Sequence, residues 1–269
     1  MTTAPGTLFS VAGKVVLVTG GTRGIGYMIA EGLLRGGARV YLSSRKADAC
    51  AEAERELSRF GEVTAIPADL SVVEECGRLI DRIGRDEDGL HVLVNNAGTS
   101  WGAPFDRFPA EAWDKVFALN VKAPFVLVQR ARSLLESAST AEDPARVINI
   151  GSIDGLAVPD FRNYSYGASK AALHHLTSHL ADELAPRVLV NAIAPGPFPT
   201  RLLASTLDER GEQLRAANPL GRFGTPDDVA GLATFLCSRA SSYVTGAVIP
   251  LDGGMSTTMK AMVDPAAPG

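Results

Sequence analysis

Cysteine is scarce in this sequence, and the three present, Cys50, Cys76 and Cys237, stand far apart, with no Cys-x-x-Cys pair and no companion histidine spacing. A disulfide framework and a cysteine-based zinc site are thereby excluded, and reduced thiols in a cytoplasmic protein are expected. Long apolar runs are missing too. No segment approaches the roughly 20 residues needed to cross a bilayer, and the opening "MTTAPGTLFSVAGK" lacks a basic start followed by an apolar stretch. Neither membrane insertion nor export is expected. Like charges never form a block, and a formal net charge of −4 offers no basic surface to nucleic acid or to an anionic membrane.

What the chain does have is alternation. "KVVLVTG", "ARVYLSS", "EVTAIPA", "HVLVNNAG", "RVINIGS", "RVLVNAIAPG" and "GAVIPLDGG" are short, nearly continuous apolar runs, as strands covered on both faces of a parallel sheet require. Helical patterns lie between them, over about 24–36, 46–59, 71–84, 111–137, 164–185 and 226–238. This predicts an α/β fold: one doubly wound parallel sheet of Rossmann type, about seven strands with helices on both faces, in a single catalytic domain spanning 1–269. Pro124 falls inside the fifth pattern and predicts a kink near Ala123. Residues 197–222 interrupt the alternation after a strand's carboxyl end and form a candidate substrate lid. The last residues, "MVDPAAPG", read as a loose tail.

The first strand runs into "VTGGTRGIGYMIAEGL", which places Gly20, Thr22, Arg23, Gly24, Ile25 and Gly26 between strand and helix. Glycines suit this position because the backbone must turn tightly and let a pyrophosphate reach amide groups at a helix N-terminus. The spacing Gly-x-x-x-Gly-x-Gly is one residue longer than the commoner dinucleotide fingerprint. At the end of the second strand, where a carboxylate would bind the ribose hydroxyls, the chain has Ser44 and Arg45. With Arg23 opposite, two guanidiniums suit a 2′-phosphate, so NADP(H) is the expected cofactor, against the alternative of solvated surface arginines.

"NYSYGASK" contains two tyrosines, Tyr164 and Tyr166, and one lysine, Lys170. On a helix Lys170 stands one turn from Tyr166, while Tyr164 is carried off that face. A phenol of ordinary pKa, about 10, is a poor proton donor at neutral pH, and a neighbouring cation is expected to lower that value.

The ordered motifs "VTGGTRGIG", "NNAG", "LNV", "INIGS", "YGASK", "APG" and "IPLDGG" resemble those of the short-chain dehydrogenase/reductase family over nearly the whole chain. "NNAGTSWGAPF", "DPARVINIGS" and "IAPGPFPTR" are similar in detail to bacterial NADPH-dependent 3-oxoacyl reductases associated with rhamnolipid synthesis. The resemblance implies a strand order 3-2-1-4-5-6-7 and a catalytic group of Asn120, Ser152, Tyr166 and Lys170. In it Tyr166 donates the proton, Ser152 holds the carbonyl oxygen, Lys170 lowers the tyrosine pKa and binds the nicotinamide ribose, and Asn120 holds a water leading from Lys170 to solvent. It also implies cofactor contacts from Asp69 and Leu70 to the adenine, from the pair Asn95 and Asn96 with the Ala97–Gly98 backbone to the adenosine side, and from Pro195, Gly196 and Thr200 around the nicotinamide. In most relatives Ser152 and Tyr166 would be about one residue closer, so the intervening loop carries a small insertion. Asp69 could equally cap the following helix, as could Ser71.

The implied activity is NADPH-dependent reduction of 3-oxoacyl thioesters, carried on acyl carrier protein or coenzyme A, by a homo-oligomer, tetramer or dimer. A polyol, sugar-acid or steroid alcohol dehydrogenase is the alternative within enzymes, and Trp101, Phe105, Phe161, Phe198, Leu202 and Leu203, as apolar walls, favour acyl or steroid over sugar. An inactive nucleotide-binding sensor is the alternative outside them, and the complete group of four speaks against it. His174, His175 and His179 cluster without a third ligand, so subunit contacts, not metal, are expected of them.

Overall fold

The computed structural model describes residues 3–158, 161–200 and 203–258. Among these, seven strands, β1 (Val15–Thr19), β2 (Arg39–Ser44), β3 (Val63–Pro67), β4 (Val92–Asn95), β5 (Ala145–Ile150), β6 (Val188–Pro195) and β7 (Val248–Leu251), form one sheet in the order β3-β2-β1-β4-β5-β6-β7. All pairings are parallel, and β1, β4, β5 and β6 are buried from end to end. That is why they lack polar alternation: both faces are covered.

The helices are α1 (Pro5–Leu8), α2 (Gly24–Arg35), α3 (Ala47–Leu57), α4 (Val73–Asp86), α5 (Glu111–Phe117), α6 (Ala123–Ala138), α7 (Tyr164–Leu184), α8 (Ala204–Ala217) and α9 (Pro226–Cys237). On one face Ile29 and Leu33 of α2, Leu57 of α3 and Leu236 of α9 close a core against Val16, Val18, Val92 and Val94. On the other, Leu79 and Ile83 of α4, Leu127 and Leu135 of α6 and Leu184 of α7 pack on Leu17, Leu93, Val147 and Val190. Because the strands are parallel, their carboxyl ends share one edge, and the loops that leave it converge there.

The expected kink lies slightly earlier than Ala123. A widened π turn, Ala118–Lys122, separates α5 from α6. Pro124 accounts for it: proline offers no N–H to the carbonyl four residues back, which is that of Asn120, and its ring crowds that carbonyl. The distortion thus falls on a residue singled out for chemistry.

Two polar constructions sit inside the sheet. Asn95 Nδ2 donates to Asn149 Oδ1 at 2.9 Å, and Asn149 Nδ2 donates to Thr177 Oγ1 of α7 at 2.9 Å, tying α7 to two strands. At the opposite, amino edge the Arg146 side chain is 1% exposed. It donates to the carbonyls of Pro144 and, at 3.1 Å, Ser238, and lies 3.3 Å from Asp143 Oδ1. Asp143 in turn meets Lys14 Nζ at 2.6 Å. Arg146→Ala leaves the buried carbonyls of Pro144 and Ser238 short of a donor, while Asp143 keeps Lys14, so it is expected to cost about 1–3 kcal/mol in urea denaturation, without altering the far edge of the sheet.

Candidate active site

Along the carboxyl edge runs a cleft of about 1600 Å³. A single small ligand needs some 300–1,000 Å³, so a dinucleotide and a second molecule can share it. Of the residues proposed from the sequence, Gly20, Thr22, Arg23, Gly24, Ile25, Ser44, Arg45, Asp69, Leu70, Asn96, Ala97, Gly98, Ser152, Tyr166, Lys170, Pro195, Gly196 and Thr200 all line it. Asn95, Gly26 and Asn120 do not.

The glycine turn follows from steric demands. Gly20 and Gly24 take φ of +63° and +58°, a left-handed backbone that side chains resist. Gly26 does not face the cleft, contrary to expectation: a Cβ there would stand 2.4 Å from Asn96 Nδ2 and 2.7 Å from the Gly20 carbonyl. Its role is close packing. Asn96 is the strut of the turn, donating to the carbonyls of Thr19 at 2.8 Å and Gly20 at 3.1 Å, whereas Asn95 is turned into the sheet and is corrected from a cofactor contact to a core residue. No side chain caps α2, so its first amides keep their capacity for an anion. The turn, the open helix end and the two arginines Arg23 and Arg45, with Ser44 where a ribose-binding carboxylate would stand, fit a dinucleotide with a 2′-phosphate.

At the end of β3, Asp69 Oδ1 accepts from the Ser71 amide at 3.1 Å and its hydroxyl at 2.6 Å. That bond, chiefly, holds the Asp69 pKa below its ordinary value. Neither residue caps α4, whose N-cap position is Val72 with no side-chain cap bond, so the capping alternative falls. Gly196 allows the end of β6 to approach Asp252, whose Cβ would lie 2.7 Å from a Cβ at that glycine. The end of α8 is anchored to the same place by Asn218 Nδ2, which donates to the Asp252 carbonyl at 2.9 Å.

At the catalytic end, Lys170 is 4% exposed and its Nζ donates to the Ile150 carbonyl at 2.7 Å. Burial pushes its pKa down to about 8, with Asp154 acting the other way. Tyr166 departs from expectation. Burial raises its pKa to about 12, the Ser152 hydroxyl pulls partly back, and Asp154 pushes it further up. No lowering by Lys170 is evident, because the ammonium is turned to a carbonyl and lies 5.5 Å from the ring centre. Ser152 Oγ accepts the Asp154 amide at 3.1 Å, and its hydroxyl is turned towards the Tyr166 hydroxyl.

The Asn120 side chain has a structural part of its own. Its Nδ2 donates to the Thr99 carbonyl and to Ser169 Oγ, both at 2.9 Å, and its Oδ1 accepts the Thr99 amide at 2.9 Å. Both amide hydrogens are spent on latching the loop after β4 to α7, so the side chain acts as a clamp.

Tyr164 belongs elsewhere. Its ring meets Phe105 edge-on at 5.8 Å and Phe108 at 5.3 Å, in an exposed aromatic cluster. Phe105 and Trp101 are exposed and do not wall the cleft, contrary to expectation; Phe161, Phe198 and Leu203 do, joined by Leu119, Leu214 and Met255. Leu202 lies outside the described residues. The histidines separate: His175 and His179 face outward with their Nε2 atoms 3.2 Å apart, while His174 is buried against Gly151 and Gly155. Burial, then Lys170, pushes the His174 pKa down to about 4. Sequence reasoning missed Asp154, Asn163 and Ser169, and expected His174 at a subunit contact where the structure buries it beneath the site; the position of Asp154, two residues beyond Ser152, was the available signal.

The fold and site define a member of the short-chain dehydrogenase/reductase family, and residues 20–256 match a family model described as enoyl-(acyl carrier protein) reductase. Among individual proteins, the chain is 48% identical over 249 residues to a rhamnolipids biosynthesis 3-oxoacyl-[acyl-carrier-protein] reductase of Pseudomonas aeruginosa, covering 91% of this chain and 97% of that one. It is 35% identical to 5-keto-D-gluconate 5-reductase of Escherichia coli, over 92% of this chain and 97% of that one. The solved Pseudomonas aeruginosa RhlG/NADP active-site complex superimposes with a TM-score of 0.90 at 47% identity, over 93% of this chain and 99% of that chain.

Replacing Tyr166 by Phe is expected to lower carbonyl reduction by on the order of 10³-fold while dinucleotide binding persists, and Tyr164→Phe to change it little. Steady-state rates alongside fluorescence titration of bound NADPH make the comparison.

Proposed function

We propose that this protein is an NADPH-dependent carbonyl reductase that converts 3-oxoacyl thioesters to 3-hydroxyacyl thioesters. The observation that carries the reading is one cleft with two unlike ends: Arg23 and Arg45 beside Ser44 at the first, and Ser152, Tyr166 and Lys170 beneath an apolar wall at the second. NADPH, when bound, supplies the hydride that reaches the carbonyl carbon. Ser152, its oxygen already engaged by the Asp154 amide, turns its hydrogen to the substrate oxygen, and Tyr166 gives that oxygen a proton. A phenol held near 12 stays protonated at neutral pH, ready to donate. Lys170, near 8, can return the proton, and the Asn120 carbonyl, deprived of a partner N–H by Pro124, is suited to hold a water leading outward.

The apolar wall of Phe161, Phe198, Leu203 and Leu214 favours an acyl chain, and the Pseudomonas relative, named for 3-oxoacyl-acyl-carrier-protein reduction, points the same way. The thioester carrier is acyl carrier protein or coenzyme A. No helix among the described residues is long and apolar enough to cross a membrane, and a cytoplasmic homo-oligomer acting on a freely diffusing substrate is the matching form. Residues 197–222, with α8 along the cleft, serve as the lid, within a single catalytic domain.

The substrate class is tested by NADPH oxidation with purified protein over 3-oxoacyl thioesters, ketosteroids and keto sugar acids. The thioesters are expected to give the highest kcat/KM; a keto sugar acid that exceeds them would transfer the protein to the gluconate reductases.

Cofactor choice follows from charge. A charge-assisted hydrogen bond contributes about 1.5–3 kcal/mol, so Arg45→Ala is expected to lower kcat/KM for NADPH about tenfold to a hundredfold and leave NADH nearly unchanged. Ser44→Asp adds a ribose acceptor that also repels the 2′-phosphate, and the NADPH/NADH ratio of kcat/KM should swing towards NADH. An unchanged ratio in both variants would place the arginines outside the phosphate site.

A further inference from the structure

Two side chains of the cleft, Asp154 and Asn163, have no part in the catalytic group, yet they join its members. Asp154 lies on the short turn Ile153–Gly155 directly after Ser152. Its amide donates to Ser152 Oγ at 3.1 Å, and its carboxylate Oδ2 accepts from Asn163 Nδ2 at 2.8 Å. Asn163 occupies the N-cap position of α7, but its side chain caps nothing there. Its carbonyl instead accepts the amides of Tyr166 at 2.8 Å and Gly167 at 3.1 Å. One chain of hydrogen bonds therefore runs from the Ser152 hydroxyl through Asp154 and Asn163 to the first turn of Tyr166.

We propose that Asp154 is a positioning residue: through Asn163 it fixes the spacing of Ser152 and Tyr166, and through its charge it keeps the Tyr166 hydroxyl and the Lys170 ammonium protonated. The first half follows from geometry. Ser152 follows β5 and Tyr166 lies on α7, so they sit on different elements, and two donors must converge on one oxygen to within a fraction of an ångström. A loop held only at its ends would not secure that; the clasp closes it where the two donors lie.

The second half follows from what faces the carboxylate. The turn packs on α7 and β6. From α7 come Tyr166, Lys170 and, one turn beyond, His174, which is neutral; β6, "VLVNAIAP", carries no ionisable side chain. Lys115 and Arg162 line the same cleft. Burial raises the Asp154 pKa, while Asn163 and Lys170 draw it down. A carboxylate favours the protonated form of each neighbour, and it acts in that direction on both Tyr166 and Lys170.

Two variants separate the halves. Asp154→Asn keeps an acceptor for Asn163 and removes the charge; Asn163→Ala removes the clasp and keeps the charge. Reduction needs Tyr166 protonated, so activity is lost as pH rises through the site's pKa, and removing a carboxylate lowers that pKa. Asp154→Asn is expected to move the alkaline limb of the kcat/KM profile down by on the order of one pH unit. Asn163→Ala is expected to lower kcat about tenfold or more with that limb in place. A limb unmoved in Asp154→Asn overturns the charge role, and wild-type kcat in Asn163→Ala overturns the clasp.

The proposal rests on the carbonyl-reductase reading, so a readout independent of substrate is needed. Alkaline titration of the tyrosinate absorbance in the cofactor-free protein, with the Tyr166→Phe trace subtracted in each background, should show the same downward shift in Asp154→Asn. If that shift appears while no 3-oxoacyl thioester is reduced, the substrate reading falls and the role of Asp154 stands. If the shift is absent while thioesters are reduced, the reverse holds.

Discussion

Burying the Lys170 ammonium is the constraint on which the site is arranged. A charge removed from water must find partners, or it gives up its proton. Lys170 finds the Ile150 carbonyl at the very end of β5, and this single bond pins the middle of α7 to the carboxyl edge of the sheet. Once that turn of helix is pinned, Tyr166 one turn before it must open into the cleft, and His174 one turn after it must lie beneath the Ser152 turn. Gly151 and Gly155 are then required, because the imidazole and the helix backbone occupy the space their side chains would fill.

The sheet prepares this arrangement by ending all its strands at one edge, and polar residues at those ends do the local work. Thr19 takes the amides of Asn96 and Ala97 at 2.9 and 3.0 Å, so the loop after β4 is drawn across the end of β1. Asn120 then takes both backbone groups of Thr99 and reaches Ser169. The same loop is thus fixed at both ends, once to the phosphate turn and once to α7, and the two halves of the cleft cannot shift independently.

Much of this was legible in the residues. The strands announce themselves as unbroken apolar runs because both faces of each are covered, and "VTGGTRGIG" between a strand and a helix has few other physical uses. Tyr166 was separable from Tyr164 by helical periodicity alone, a local property. The aromatic cluster that claims Tyr164, Phe105 and Phe108 was not, since edge-to-face contacts among loop residues leave no period. Asn95 and Asn96 were indistinguishable for a related reason: successive residues at a strand's end point opposite ways, and only the register with Asn149 decides which enters the core. The clasp between Asp154 and Asn163 lies in a loop without periodicity, and the tyrosine's upward shift depends on burial, which no motif encodes.

The two ends of the cleft are also built from different materials, and this bears on how the protein can change. The phosphate end consists of backbone: a left-handed turn, helix amides and glycines that cannot carry a side chain without collision. The rim residues Arg23, Ser44 and Arg45, proposed above to choose between dinucleotides, touch none of the hydrogen bonds that fix Ser152, Tyr166 and Lys170. The catalytic end consists of side chains, Ser152 and Lys170 buried and Asp154, Asn163 and Tyr166 half-buried, whose charges and hydrogen bonds act on one another. Cofactor preference can therefore drift by single surface substitutions, whereas any replacement among Asp154, Asn163, Tyr166 and Lys170 changes the electrostatics of the others at once. A barrier of this kind would preserve the chemistry of a family while its members diverge in cofactor and in the apolar walls that select the substrate.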